Sequence, residues 1–236
     1  MKKIYTLCLV LCLGCNSAPR TDLIGIFDHT EAHNMINPAI VMPIFDSLSY
    51  GSVAFTEIID QSFVKEVVIK RPERPSYLLR VESKERKKYA AFKEDLASGL
   101  ALYNRPSSGL GSSYVYSVLA HSCKNLASLN SSNKQIWVFG DLLHNVPDEF
   151  SFYSFLGRPE DILKAHDSIS NRLEFFDQDI KNVSLSGISI KVVYFPDKEH
   201  DRLYRAVRFF WMKYFEDKGA DIEFIAAIDP HYTTMR

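Results

Sequence analysis

Short apolar runs alternate along the chain with longer segments of helical period. The runs are LIGIFD (Leu23 to Asp28), SVAFTEIID (Ser52 to Asp60), IWVFGD (Ile136 to Asp141), ISIKVVYFPD (Ile188 to Asp197) and IEFIAAID (Ile222 to Asp229). Each is almost continuously apolar or β-branched, the pattern of parallel strands covered on both faces. A weaker run, VKEVVIK (Val64 to Lys70), follows the second after only three residues. That connector is too short for a crossover, so this run predicts an antiparallel partner at the sheet edge. Between the runs lie helical patterns over Lys84 to Leu102 and over Tyr114 to Leu129, the latter with Val115, Val118, Leu119 and Leu126 on one stripe. A third joins Ile162, Ile169, Leu173, Phe176 and Ile180, with Pro159 suited to its first turn. In the last, Leu203, Val207, Phe210, Trp211, Tyr214 and Phe215 form one apolar stripe, and Gly219 is placed to stop the helix.

Strands alternating with helices predict an α/β fold, a three-layer, doubly wound, mostly parallel sheet with one antiparallel edge strand. LIGIFD and IWVFGD are expected as adjacent central strands. No repeat or low-complexity linker interrupts the pattern, so residues 22–236 read as one domain. All five runs end in Asp, at Asp28, Asp60, Asp141, Asp197 and Asp229. Ligand crevices of such sheets lie beyond the carboxyl ends of the strands, where strand order reverses. Helix-capping or turn duty suits Asp60, Asp197 and Asp229. Asp28 and Asp141 end the two strands expected at the centre and are the candidates for chemistry.

The first residues change the picture of where the chain works. Lys2 and Lys3 precede an apolar stretch from Ile4 to Leu13, long enough for a secretory signal and too short to span a bilayer. It closes on LCLGC, and Gly14 before Cys15 resembles a bacterial lipobox, whose cysteine is lipidated, although Cys12 stands where that pattern prefers Leu. An ordinary cleaved signal or an uncleaved anchor is the alternative. The division expected is a signal over 1–15, a tether over 16–21 and the domain after it, held to the cell envelope through Cys15. Cys123 alone remains in the body, so no disulfide framework supports the fold. At 46% hydrophobic residues the domain has enough apolar surface for one sizeable core. With Lys and Arg at 28 against Asp and Glu at 29, nothing directs the protein to nucleic acid. KERKK (Lys84 to Lys88) reads as the solvated face of its helix.

Three short elements carry oxygen donors toward one crevice. DHTEA offers Asp28 and Thr30; GLGSSYVYSVL, a Gly/Ser loop opening a helix, offers Ser112 and Ser113 as ligands or caps; FGDL offers Asp141. Carboxylates and hydroxyls from three loops suit a small hard divalent ion such as Mg²⁺. Only two of these ligands are charged, so such an ion keeps Lewis acidity and an open position. Here the chain resembles the von Willebrand factor A (VWA) domain family. Its metal-ion-dependent adhesion site is Asp-x-Ser-x-Ser after the first strand, a Thr in a Gly-rich loop before a helix, and an Asp after the fourth strand. Asp28 and Thr30 match the first two positions, Ser113 stands at the loop Thr, and Asp141 matches the last. The resemblance covers nearly the whole mature chain and implies a protein-interaction module, for adhesion or assembly, whose metal takes an acidic side chain from a partner protein. Two departures stand out. Ala32 occupies the third hydroxyl position and Ser replaces the loop Thr, so Glu31, Ser112 or water has to complete the shell. Recognition is expected in rim loops such as DEFSFYSFLG (Asp148 to Gly157), with Phe152 and Phe155 packed beneath the following helix.

Other readings stay open. A metal-free scaffold of the same fold is one. A phosphatase-like hydrolase using Asp28 as nucleophile is another, although its Asp-x-Asp-x-Thr motif lacks the second Asp here, where Thr30 stands. No Gly-x-Ser-x-Gly elbow, Walker loop or dinucleotide fingerprint occurs. His29 and His33 have a zinc-like spacing, but Pro38 limits any helix over them and no Glu-rich motif surrounds them. His144 is placed to edge the crevice; His121, His166, His200 and His231 read as surface or satisfied groups, and Cys123 as a packed small hydrophobe.

Overall fold

Alternate side chains of the first strand go to opposite layers, and that alternation sets the architecture. The computed structural model describes residues 19–28, 37–46, 50–58, 66–72, 82–104, 111–194 and 201–225. The elements are β1 (Thr21–Asp28), α1 (Pro38–Asp46), β2 (Gly51–Ile58), β3 (Val67–Arg71), α2 (Glu82–Tyr103), α3 (Val115–Ser128), β4 (Asn133–Phe139), β5 (Asn145–Val146), β6 (Phe150–Ser151), α4 (Asp161–Lys164), α5 (His166–Phe176), β7 (Ile188–Val193), α6 (Asp201–Asp217) and β8 (Asp221–Ile225). The main sheet has the order β3-β2-β1-β4-β7-β8. All its pairs are parallel except β2 with β3, the expected antiparallel edge. Strands β1 and β4 are adjacent at the centre, as the sequence predicts, and strand order reverses between them.

Ile24 and Ile26 face a core built with α3, α5 and α6, while Leu23 and Phe27 face a second core built with α1 and α2. In β4, Ile136 and Val138 enter the first core, and Trp137 and Phe139 the second. Phe27 and Phe139, side by side on β1 and β4, stack at 4.9 Å between centroids. These are the three layers of a VWA-like α/β fold.

The residue assigned last to the tether, Thr21, is instead the first of β1: its N–H donates to Tyr50 O and its side chain is buried. Just inside, Asp22 is almost fully covered. It accepts from Arg20 Nε (2.8 Å) and Nη2 (3.2 Å) and from Ser52 N (3.1 Å) and Oγ (2.6 Å). Burial alone would raise the Asp22 carboxyl, but these Ser52 and Arg20 bonds outweigh it and hold it below the usual range. Arg20 O meanwhile accepts from Ser132 and Asn133 N–H, so the chain is fastened to β4 as well.

Helix α1 is an element the sequence reading did not assign. Pro38 is the first helical residue, where a missing N–H costs nothing, and Asn37 Oδ1 caps the turn by accepting from Ala39 N at 3.0 Å. The third helical pattern is also corrected. It is two helices broken at Ala165, and α4 starts after Pro159, whose carbonyl accepts from Ile162 N. Ile180 lies past the end of α5 yet is fully buried in the same core, delivered by a turn whose carbonyl accepts from Lys218 Nζ at 3.3 Å. The last helix behaves as expected. Its whole stripe is buried, and Gly219, at φ +86°, lets Ala220 N–H reach back to Phe215 O. Cys123 is fully buried, and burial pushes its thiol up to about 12, so it packs rather than reacts.

Candidate functional site

The site begins where β1 and β4 end. Phe27 pairs with Phe139, which sets Asp28 beside Gly140. The backbones approach so closely that a Cβ on Gly140 would sit 2.6 Å from Asp28 Cβ and 3.2 Å from Asp28 Oδ2. Glycine is thus required next to the first carboxylate, and the second, Asp141, follows it at once. Both are buried, with relative exposures of 6% and 1%. Gly140→Ala is expected to cost about 1–3 kcal/mol through overpacking and to swing the Asp28 carboxylate out of place. A denaturation curve superimposable on wild type would count against this crowding.

Asp141 opens a tight loop. Its Oδ1 accepts from Leu143 N–H at 2.7 Å, Leu142 sits at φ 60°, and His144 N–H returns to Leu142 O at 3.0 Å. A left-handed leucine is strained, and such strain survives only where the surroundings over-determine it. Here α6 does so: Trp211 Nε1 donates to Leu142 O at 3.0 Å, and both side chains are fully buried. Helix α6 also borders the loop at Tyr204, whose phenol is raised to about 12 by burial first, with Asp141 adding to the shift and Arg208 opposing it. Tyr194, just past β7, packs on Tyr204 at 4.8 Å, while Gly140 N–H bonds Val193 O.

Ser113 is brought to this loop by backbone pairing. Its N–H donates to Asn145 O (2.7 Å), and Asn145 N–H donates to Ser113 O (3.0 Å). The side chain is buried at 3% exposure, and its Oγ has no hydrogen-bond partner among the described residues. Ser113 is not a helix cap; Tyr114 occupies that position, with no side-chain cap bond. Ser112, next to it, is half-buried. Thr30, Glu31 and Cys15 lie outside the described residues, as do His29, His33, His200, His231, Asp60, Asp197 and Asp229.

What sequence reasoning missed is the work of His144. Its ring is buried at 1% exposure, and Nδ1 accepts from Tyr116 N–H at 3.2 Å, so an imidazole caps the start of α3. The neutral ring therefore carries its proton on Nε2, which has no partner among the described residues. Burial lowers the pKa from 6.5 to about 3. Above the ordinary value the ring is neutral in both folded and unfolded chains and contributes nothing to pH dependence. Below it, the unfolded chain takes up a proton that the folded one refuses, so stability falls as pH drops toward 3. Between about pH 7 and about pH 5 wild type should lose about 2 kcal/mol more than His144→Gln, measured by denaturant titration. Parallel pH profiles for the two proteins would refute a buried neutral ring.

The other site-side expectations are settled by packing. Phe152 is fully buried, in one core with Ile162 of α4 and with its ring against Phe210 (5.3 Å) and Trp211 (6.0 Å) of α6. Phe155 packs half-buried against the same core. His121 lies 3.7 Å from Asp179, and His166 Nδ1 3.0 Å from Asp167. Among the described residues no three His, Cys, Asp or Glu side chains converge as a metal cluster. A divalent ion here would depend on hydroxyls as well as on Asp28 and Asp141. The donors present fit that requirement: two buried carboxylates on neighbouring strand ends and a buried Ser113 Oγ.

With that geometry in place, the fold can be set beside known structures. A variant of the PilB minor pilin from Streptococcus sanguinis is similar at TM-score 0.51 and 11% identity, over 93% of this chain and 60% of that one. This chain thus spans three-fifths of the pilin's length. An aerotolerance-related membrane protein from Bacteroides fragilis gives TM-score 0.39 and 10% identity, over 90% of this chain and 94% of that one. BatB from Bacteroides thetaiotaomicron gives 0.37 and 10%, over 87% and 90%. At such identities the likeness to the pilin concerns the fold alone. No family model and no curated protein sequence matches the chain. The class defined is a three-layer α/β fold of VWA-like kind, with Asp28 and Asp141 buried at its strand switch point.

Proposed function

We propose that the protein is a membrane-tethered interaction module whose crevice holds a divalent cation, Mg²⁺ or a like ion, and through it an acidic side chain of a partner protein. Asp28 and Asp141 would supply the charge, Ser113 and Thr30 the hydroxyls, and Ser112, Glu31 or water the remainder. The observation that carries this reading is the burial of two carboxylates at the ends of adjacent strands, together with a buried Ser113 hydroxyl, without a partner among the described residues, on a segment that pairs with the loop after Asp141. Burying a carboxylate is costly, and a bound cation would offset that cost at both positions. With few charged ligands the ion keeps exchangeable positions, which a partner carboxylate can fill. A metal-free scaffold is the second reading, favoured by the Asp141 Oδ1 bond to Leu143 N–H, which orders the loop from within. The hydrolase reading would need Asp28 to attack a phosphoryl group from a site buried to 6% exposure. Calorimetric titration with Mg²⁺ and Mn²⁺ separates these: heat of binding is expected, and its absence at millimolar metal leaves the scaffold.

Tethering rests on Cys15. Among the described residues no helix is long and apolar enough to cross a membrane. Acyl chains would anchor the protein at about 0.8 kcal/mol per buried CH₂. Cys15→Ala should move the protein out of the membrane fraction on cell fractionation; equal retention of both forms would rule out lipid as the anchor.

A further inference from the structure

We infer that the first two turns of α2 form a contact surface for an anionic membrane, recognising acidic phospholipid headgroups through Lys84, Lys87 and Lys88. The inference rests on the tethered reading only in assigning which end of the domain faces the bilayer.

The geometry comes from Arg71, the last residue of β3. It pairs with Gly51, which pairs with Thr21, so all three mark the amino-terminal edge of the central strands. The Arg71 guanidinium lies over Tyr89 (5.0 Å) and Phe92 (5.4 Å), placing the second and third turns of α2 level with that edge. Further along, a Cβ on Gly99 would touch Phe55 and Ile69, and Tyr103 meets the Phe55 ring at 6.3 Å. Helix α2 therefore ascends alongside β2, and Glu82 to Lys88 overhang the sheet by about 10 Å at ~1.5 Å per residue. Arg20, where the chain enters β1 from its amino-terminal side, lies at this same end.

The overhang is not bare by accident of one residue. Lys84, Lys87 and Lys88 stand at i, i+3 and i+4, on one outward stripe, all exposed. None of the three takes part in an ion pair among the described residues. The nearby acids are turned elsewhere: Glu82 pairs with Arg86 at 3.7 Å, and Glu85 is half-buried on the stripe that continues through Phe92. Exposed Lys70 on β3 adds a further positive charge to this end. Three exposed cations without an ion pair among the described residues, on the side from which the chain enters β1, match a negative headgroup layer within a Debye length of about 8 Å. Each cation near such a surface favours binding by about fivefold, so the three together amount to about a hundredfold. Acyl chains hold the protein to any bilayer, and a basic patch adds a preference for an anionic one.

The test uses the full chain isolated from its membrane and mixed with vesicles of phosphatidylcholine alone or of equal parts phosphatidylcholine and phosphatidylglycerol. Amine acetylation read by mass spectrometry reports each lysine. Lys84, Lys87 and Lys88 should be protected several-fold on the phosphatidylglycerol vesicles only, and high salt should remove the protection. Lys124 and Lys164, ion-paired elsewhere on the domain, should label alike on both. The variant K84E/K87E/K88E should lose the roughly hundredfold preference for anionic over neutral vesicles. Equal acetylation on the two vesicle types, or an unchanged preference in the variant, overturns the inference. Failure of the tether shows separately, as absence of association with phosphatidylcholine vesicles.

Discussion

Asp28→Asn and Asp141→Asn are each expected to abolish divalent-cation binding while the domain stays folded. Asparagine keeps the side-chain volume, and at position 141 it keeps an oxygen to accept from Leu143 N–H, so the loop geometry survives without the charge. Even outer partners of metal ligands cost 10–100-fold in affinity, and a charged ligand in a site with only two should cost on the order of a hundredfold or more. Thermal stability gives an independent reading. Metal at about a hundred times its dissociation constant should stabilise wild type by about 2.7 kcal/mol, and neither variant should respond. A variant that retains wild-type heat of binding would remove its residue from the site.

Trp211→Ala is expected to be the most damaging single core change, at about 3–5 kcal/mol, a large part of the stability of an ordinary domain. The ring is fully buried against Phe152, Phe210 and Phe215, and its truncation opens a cavity between α6 and the layer beneath. It also removes the donor from Leu142 O, the carbonyl of the one described non-glycine residue at positive φ. Trp211→Phe separates the two effects. It keeps most of the bulk but leaves that carbonyl without the indole, at about 1–3 kcal/mol. Denaturant titration of both measures the split. If the Phe variant matches wild type, the indole N–H does not hold the loop.

How much of this was legible in the sequence depended on which physical signal carried it. Strands covered on both faces write themselves as unbroken apolar runs, so β1, β2, β4 and β7 and the central pairing of β1 with β4 could be read directly. The three-residue connector before VKEVVIK admitted only a hairpin, hence the antiparallel edge. The stripe of α6 and its Gly219 stop were equally plain. Periodicity, however, reports which side chains are buried rather than whether the backbone between them is continuous. Ile162 and Ile180 share a core, yet a break at Ala165 and a turn beyond Asp177 separate them. Helix α1 is short and apolar on nearly every position, so it carries no helical period to set it apart from a strand.

At the site, Asp28 and Asp141 were visible because each follows a central apolar run. The roles around them were not. That Gly140 must lack a side chain follows from a cross-strand approach, and His144 as the cap of α3 depends on a contact between residues distant in sequence. Nothing local in DLLHN announces either.

The clamp at the base of β1 has a mechanical consequence. Arg20, Asp22 and Ser52 fasten the strand's lower end, and Asp28 stands at its upper end. A pull applied between the amino-terminal side of the domain and a partner held at Asp28 would run along the axis of β1. Its parallel ladders to β2 and β4 then lie along the force on both flanks, so their hydrogen bonds must shear together instead of opening one at a time. A strand gripped on both sides and loaded lengthwise would resist such a pull along its whole length at once.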